Sequence, residues 1–462
     1  MIASARKTKT RRRISRMGDT NGRTRAPRQR PRIVLYSHDT MGIGHMRRNL
    51  LVAQTLTQAP VDGHVLMLAG ASEAGVFASH AGIDCVTLPA LHKNPAGSYS
   101  ARNLCFSLAE IIRLRRQTIR AAVSAFQPDI LIVDKVPRGV LNELDDTLTD
   151  LNRTGRTRCV LGLRDILDTP SIVHQEFESG GYRRAITKHY DHVWIYGDRN
   201  VFDPIREYDL HDISDRIRFT GYLDQKARLL EWKQSGTNEE SALHGPASNR
   251  SHGTSGTHLF DESQQMPGHP EVDSPNVRDT RDELVACFVG GGQDGFSVAA
   301  AFCQSHFPEG VSGVILAGPC MPDADRRTLR QLAESRPRLQ FIDSMIEADL
   351  LMNRADRVVA MGGYNTVSSI LSFNKPALIV PRVTPREEQL MRAERLRDLG
   401  LVQVLHPSNL SPAAISDWLR NPPVDRLSSR SVLDLDGLHR ITDLVNELVH
   451  PVTSPRAMSA TE

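Results

Sequence analysis

A chain of 462 residues exceeds what one hydrophobic core supports, so two domains are expected. Hydrophobic residues make up 40% and aromatics 5%, and no apolar run approaches the ~20 residues of a membrane-spanning helix, which excludes an integral membrane protein of the helical kind. The net charge of +3 hides an asymmetry: residues 1–30 hold nine Arg and two Lys against one Asp, +10, so the remainder carries −7.

That basic stretch is expected to be a disordered, solvated tail, with peripheral contact to an anionic membrane as its functional alternative. Nucleic acid is not an expected partner, because no aromatic residue interleaves the arginines. The stretch lacks an apolar core, so it does not read as a secretory signal. Six scattered cysteines without a CxxC pair point to free thiols in a cytoplasmic protein, and no zinc site is expected.

The first ordered element is the strand Ile33 to His38, followed by a glycine turn with Gly42 and Gly44 and a helix carrying Leu50, Leu51, Val52 and Leu56 on its apolar side. His45 falls at the start of that helix, at the C-terminal edge of a parallel strand, where open α/β sheets bind ligands. The positive helix end there would keep the imidazole neutral, as a base requires. A lone histidine is more often structural, so this placement makes His45 a candidate and no more.

Strands and helices then alternate. HVLMLAG and IDCVTLP read as strands, Glu73 to Ala81 as a short helix, LHKNPAGSYS as a polar loop, and about Ala101 to Phe126 as a long helix. Arg113, Arg115, Arg116 and Arg120 lie on that helix and read as a solvated face, with an anionic acceptor or membrane as the alternative. PDILIVD ends a buried strand in Asp134 and RCVLGLRD another in Arg164 and Asp165. These polar residues are candidate cleft contacts or helix caps. DHVWIYGD is a further strand.

The expected organisation is a basic tail over 1–30, a Rossmann-like domain over 31–225, a linker with a disordered insertion over 226–281, a second Rossmann-like domain over 282–450 and a tail over 451–462. The second domain opens with a strand and a glycine loop, Gly290 to Gly292, that lacks the Lys-Ser/Thr of a Walker A loop. Another glycine turn, Gly362 and Gly363, follows the strand ending at Ala360. The helix that starts at about Tyr364 would present its free N–H groups to phosphate or another anion.

The stretch from Ala355 to Leu405 resembles the donor-binding half of GT-B glycosyltransferases. It is most similar to the peptidoglycan-forming N-acetylglucosaminyltransferases and their family-28 relatives, and overall to uncharacterised bacterial predicted glycosyltransferases of that type. The resemblance implies a GT-B fold of α/β class, two Rossmann-like doubly wound parallel-sheet domains facing a cleft. It also implies a role in bacterial cell-envelope polysaccharide. Gly42, Ile43, Gly44 and His45 match the turn that carries the family's proposed base. Gly291, Gly292 and Gln293 match the loop opening the donor domain, and Ile342 sits in an FIDxM segment bordering the base. Gly363, Tyr364, Asn365, Thr366, Ser368 and Ser369 match the diphosphate and ribose loop. Gln389 matches a sugar-contacting glutamine, twenty residues after Ser369. A C-terminal helix, Leu438 to Val449, is expected to pack back across the first domain.

The chain departs from this family at Ser369, where the family has a ribose-binding glutamate. A serine cannot bridge two hydroxyls as a carboxylate does. The turn GHMRR also resembles that of the UDP-sugar hydrolases of pseudaminic acid synthesis, and Arg48 matches a cation there that faces the leaving diphosphate. The resemblance therefore implies transfer of a hexose-type sugar from a nucleotide-diphosphate donor, a UDP-sugar by family habit, to an unidentified glycan, lipid-linked or small-molecule acceptor. A nucleotide-sugar hydrolase or epimerase and an inactive nucleotide-sugar-binding protein are the alternatives. Neither a cofactor nor a metal is expected, the nucleotide sugar being a substrate. The expected location is the cytoplasm, with the inner face of the membrane as a peripheral site.

Overall fold

The computed structural model describes residues 30–39, 44–71, 82–93, 98–227, 229, 282–343, 345, 347–421 and 427–450. Residues 1–29, Gly42, the helix expected over 73–81, nearly all of the expected linker and the 451–462 tail lie outside the described residues.

Two parallel sheets carry the fold. The first has the order β3-β2-β1-β6-β7-β8-β9 and the second β12-β11-β10-β13-β14-β15. The first comprises β1 (Arg32–Ser37), β2 (His64–Ala69), β3 (Ile83–Thr87), β6 (Ile130–Asp134), β7 (Arg158–Arg164), β8 (His192–Tyr196) and β9 (Ile217–Phe219). The second comprises β10 (Glu283–Phe288), β11 (Val311–Leu316), β12 (Leu339–Ile342), β13 (Arg357–Ala360), β14 (Ala377–Ile379) and β15 (Gln403–Val404). In each sheet the order reverses once, between β1 and β6 and between β10 and β13. Those reversals open the crevices where doubly wound sheets take ligands.

The strands are apolar because both faces are covered. Along β1, Ile33 and Leu35 enter one hydrophobic cluster while Val34 and Tyr36 enter another across the sheet. Along β10, Ala286 and Phe288 face one side, Val285 and Cys287 the other. The cluster holding Ile33 also takes in Phe288, Tyr364 and Ile370, so one core runs through both halves.

The helices that bear on the site are α1 (Gly44–Leu56), α2 (Leu108–Phe126), α3 (Pro170–Ser179), α4 (Phe296–Gln304), α5 (Ala348–Arg354), α6 (Tyr364–Ser372), α7 (Glu388–Asp398) and α8 (Gly437–Val449). The expected packing of the C-terminal helix on the first half is found: Leu438, Ile441 and Val445 of α8 join the cluster of Met46, Leu51 and Leu56. The chain returns to the first half beside the place where it left. There Tyr222 N–H donates to Asp434 O at 2.9 Å, and Gly437 N–H donates to Tyr222 O at 3.1 Å. Gly221, at φ +83°, makes room for this crossing, since a Cβ would lie 2.6 Å from Asp434 Oδ1.

Three expectations are corrected. The polar loop after β3 contains an antiparallel hairpin of β4 (Leu91–Lys93) and β5 (Tyr99–Ala101). The long helix begins at Leu108 instead of Ala101, where Ser107 accepts from Glu110 N–H and Glu110 accepts from Ser107 N–H in a reciprocal cap. Arg115 is not on a solvated face: it is fully buried and binds Glu143 through Nε at 2.6 Å and a terminal nitrogen at 2.7 Å. Tyr36 donates to the same carboxylate, and Arg115 also donates to Pro89 O. That cation is a fixture of the core.

Candidate active site

Two helix N-termini meet across the cleft. α1 begins after β1 and α6 begins after β13, one at each sheet's reversal. Asn365 Nδ2 in the first turn of α6 donates to Gly44 O in the first turn of α1 at 2.9 Å. Gly363 caps α6 with no side-chain hydrogen bond, and nothing lies within 4 Å of where its Cβ would be. The N–H groups of Tyr364, Asn365 and Thr366 therefore stand at an open, positively polarised end.

His45 lies beside this junction. Its Nδ1 is 2.5 Å from Asp134 Oδ2 at the end of β6, and its side chain is 15% exposed. Arg48, one turn further along α1, donates to the other oxygen of Asp134. The Arg48 guanidinium and His45 hold the Asp134 carboxyl well below the usual range, although burial opposes them. Asp134 is therefore ionised, and the hydrogen between it and His45 belongs to Nδ1. That fixes the tautomer with a lone pair on Nε2. Burial pushes the His45 pKa down to about 4, against the pull of Asp134, so the ring is neutral at neutral pH. A neutral imidazole backed by a buried carboxylate can take a proton at Nε2 and have the resulting cation stabilised. The His38 ring packs tilted against that of His45, 41° between planes and 5.0 Å between centroids, and its pKa is driven well down by burial, His45 and Lys135.

An open cleft adjoins the two helix ends and is lined by Thr366, Ser369, Asp349, Glu347, Gln225 and Gly290 among others. Ser369 Oγ donates to Asp349 Oδ1 at 2.6 Å. A carboxylate is thus present at this wall, on α5 instead of α6. Sequence reasoning missed Asp349, although it follows the FIDSM segment by four residues. Gly291, Gly292 and Gln293 form the turn after β10; Gly292 has φ +92° and lies against Ala317 O, and Gln293 is exposed. Ile342 ends β12 and is partly buried. Gln389 is 8% exposed, and its Oε1 accepts from Arg382 N–H at 3.1 Å.

Three expected contacts are displaced by packing. Ser368 has no exposed surface, so its side chain cannot touch a ligand. The Tyr364 ring is buried, stacked on Tyr222 with Arg48 and Arg392 over it, which leaves only its backbone for binding. Asp165 does not face the cleft. It is fully buried, accepts from Arg392 Nε at 2.8 Å and a terminal nitrogen at 2.6 Å, and takes the Tyr222 hydroxyl at 2.8 Å. Arg48 is 3% exposed and committed to Asp134, so it orients the pair more than it reaches outward. Arg164, at the end of β7, is partly exposed. Gly42 is among the residues not described.

No family model matches the chain. It is 31% identical over 136 residues to the UDP-N-acetylglucosamine--N-acetylmuramyl-(pentapeptide) pyrophosphoryl-undecaprenol N-acetylglucosamine transferase of Streptococcus mutans, covering 28% of this chain and 36% of that protein. The enzyme of the same name from Proteus mirabilis is 30% identical over 114 residues, covering 24% and 31%. The chain thus spans about a third of the length of the curated relatives it matches. Among solved structures, the calicheamicin glycosyltransferase CalG4 superposes with a TM-score of 0.56 at 14% identity, over 92% of this chain and all of that one. MurG of Acinetobacter baumannii gives 0.50 at 13% over 90% and 99%, and a putative UDP-N-acetylglucosamine 2-epimerase of Listeria monocytogenes gives 0.52 at 12% over 92% and 98%. The chain therefore has the GT-B fold. Its sequence resembles the family-28 N-acetylglucosaminyltransferases over the matched stretch.

Proposed function

We propose that the chain is a glycosyltransferase that moves a hexose-type sugar from a nucleoside-diphosphate donor to an acceptor hydroxyl. The observation that carries the reading is the meeting of the α1 and α6 N-termini beside a His45–Asp134 pair. The open positive end of α6 suits a diphosphate and takes the part a divalent cation plays in other transferases, whereas Met46 N–H at the α1 end already donates to Asp39 Oδ1 at 2.9 Å. In this reading Gly44, Gly363, Asn365 and Thr366 receive the diphosphate, with the Gly291–Gln293 turn opposite. Ile342 borders the base. Ser369 and Asp349 together take the ribose hydroxyls in place of the missing glutamate, which suits a ribonucleoside diphosphate such as UDP. The amide nitrogen of Gln389 reads a sugar hydroxyl.

His45 Nε2 removes the acceptor hydroxyl proton as that oxygen bonds to the anomeric carbon. The bond from that carbon to the diphosphate oxygen breaks, and the diphosphate leaves with the electron pair. Asp134 stabilises the imidazolium, and Arg48 keeps Asp134 ionised and in place.

The test measures UDP release from UDP-N-acetylglucosamine and UDP-glucose, with and without a bacterial envelope extract as acceptor source. Extract-dependent release that is lost in His45→Ala, while UDP still binds, is the expected result. Unchanged turnover in that variant would sink the His45 role. Free sugar appearing equally fast without acceptor would favour the hydrolase reading.

Membrane contact is proposed at the first half, where Leu104, Phe106, Leu114 and Leu141 are exposed on and around α2, alongside Arg113 and Arg116. Co-sedimentation with phosphatidylglycerol vesicles should fall in Phe106→Ser; equal pelleting of variant and wild type counts against it.

A further inference from the structure

Two cations, Lys135 and Arg164, stand beside the His45–Asp134 pair without a carboxylate in direct contact. β6 ends at Asp134, and the next residue, Lys135, has φ +68° with Val136 N–H donating to Asp134 O at 2.8 Å. That is a γ-turn of positive φ, a strained backbone for any residue with a side chain, and such strain concentrates at ligand sites. Lys135 N–H donates to Gly162 O at 2.8 Å, tying the turn to β7, which ends two residues later in Arg164.

Four cations near them close ion pairs. Arg48 pairs with Asp134, Arg382 with Asp294 and Glu388, Arg386 with Asp168 and Glu176, and Arg392 with Asp165. Among the described residues, neither Lys135 nor Arg164 closes an ion pair, and Arg164 Nε is buried with no acceptor.

Leaving two half-buried cations without a direct partner is costly, even with Glu388 nearby. Burial, then Arg164 and Arg386, push the Lys135 pKa down to about 7 against Glu176 and Glu388. Burial likewise disfavours the Arg164 cation, with Arg392 and Arg48 adding to it and Glu388 opposing. An anion between the two would relieve both through charge-assisted hydrogen bonds.

We infer that Lys135 and Arg164 form a receptor for an anionic group, phosphate or carboxylate, carried by the acceptor near its reacting hydroxyl. The word acceptor rests on the donor-site reading above. Both cations rise from strand ends of the first sheet, on the edge that carries Asp134, whereas Gly363, Asn365, Thr366 and Gln389 belong to the second half. The receptor thus lies on the side of His45 from which the attacking hydroxyl must come.

Calorimetric titration of the full chain with inorganic phosphate tests this, with ionic strength fixed by chloride and UDP saturating. The expected result is binding that weakens at least about tenfold in Lys135→Gln and in Arg164→Gln, the loss of one charge-assisted hydrogen bond, and persists in Lys135→Arg. No phosphate binding in the wild type, or unchanged affinity in both glutamine variants, overturns the inference. UDP is titrated alone first: its failure to bind would sink the donor-site reading, and phosphate titration without UDP would still decide the anion receptor. UDP-glucuronate binding tighter than UDP-glucose, with the advantage lost in Lys135→Gln, would move the anion to the transferred sugar and overturn its assignment to the acceptor.

Discussion

Replacing Arg392 by methionine tests whether the two halves are held by a dry ion pair. Arg392 and Asp165 are both fully buried, one on α7 and the other just past β7, so solvent does not screen them. Besides gripping the carboxylate, Arg392 donates to Gly362 O at 3.1 Å and Ile166 O at 3.2 Å. Methionine fills similar volume but strands the carboxylate with the Tyr222 hydroxyl and the Ile166 N–H as its donors. Breaking one side of a buried pair costs about 3–5 kcal/mol, and the two orphaned carbonyls place this site toward the upper end. Urea denaturation followed by tryptophan fluorescence reads it, since Trp194 and Trp418 are buried in opposite halves. Asp165→Asn in the Arg392→Met background removes the stranded charge and should restore at least about 2 kcal/mol. A loss under about 1 kcal/mol for Arg392→Met, or single losses that merely add, would show that water reaches the pair and refute the reasoning.

Three further outcomes follow from the site. His45 acts as a base only when unprotonated. With its pKa lowered to about 4, kcat/KM should stay level from pH 7 to pH 5 and fall only below that. A limb near 6.5 assignable to His45 would contradict the geometry. Asp134→Asn removes the anion that orients the ring and stabilises its cation, so kcat should drop by about 10⁴-fold while UDP affinity holds; equal losses in both would indicate misfolding around Arg48. Asp349→Asn should weaken UDP by about 10–100-fold, the range for hydrogen bonds to a charged group. It should weaken thymidine diphosphate, which lacks the 2′-hydroxyl, much less. Equal losses for the two would remove Asp349 from ribose recognition.

Much of the architecture was legible because parallel strands covered on both faces are unbroken apolar runs, as in ILIVD and RVVA. The glycine turns at their ends were equally plain. The β4–β5 hairpin was not, because three-residue strands leave no period to read. The start of α2 was readable in principle: Ser107 and Glu110 form a capping box, but the residues before them carry no helix breaker. Arg115 looks solvated in sequence because its partner Glu143 lies 28 positions away. At the site, His45 and Asp134 were found by their places after strands. Their direct contact, the tautomer it fixes and the bare cations at Lys135 and Arg164 depend on which strands are neighbours. Asp165 was misjudged for the same reason: it ends a strand at the cleft edge, but α7 closes over it.

The return of the chain to the first half has a consequence for how the molecule comes apart. The second half carries α8, whose Leu438, Ile441 and Val445 are buried in the first half's core, and Leu223 bridges Asp436 where the two crossings touch. The polypeptide link between Asp224 and Asp282 is therefore dispensable for cohesion. A chain cut by a site-specific protease at a recognition sequence placed near residue 250 should run as one species on gel filtration and keep its affinity for UDP. Expressed as two polypeptides, the halves should find each other, α8 serving as the plug; fragments that separate under native conditions would show that the link, and not the plug, keeps them together.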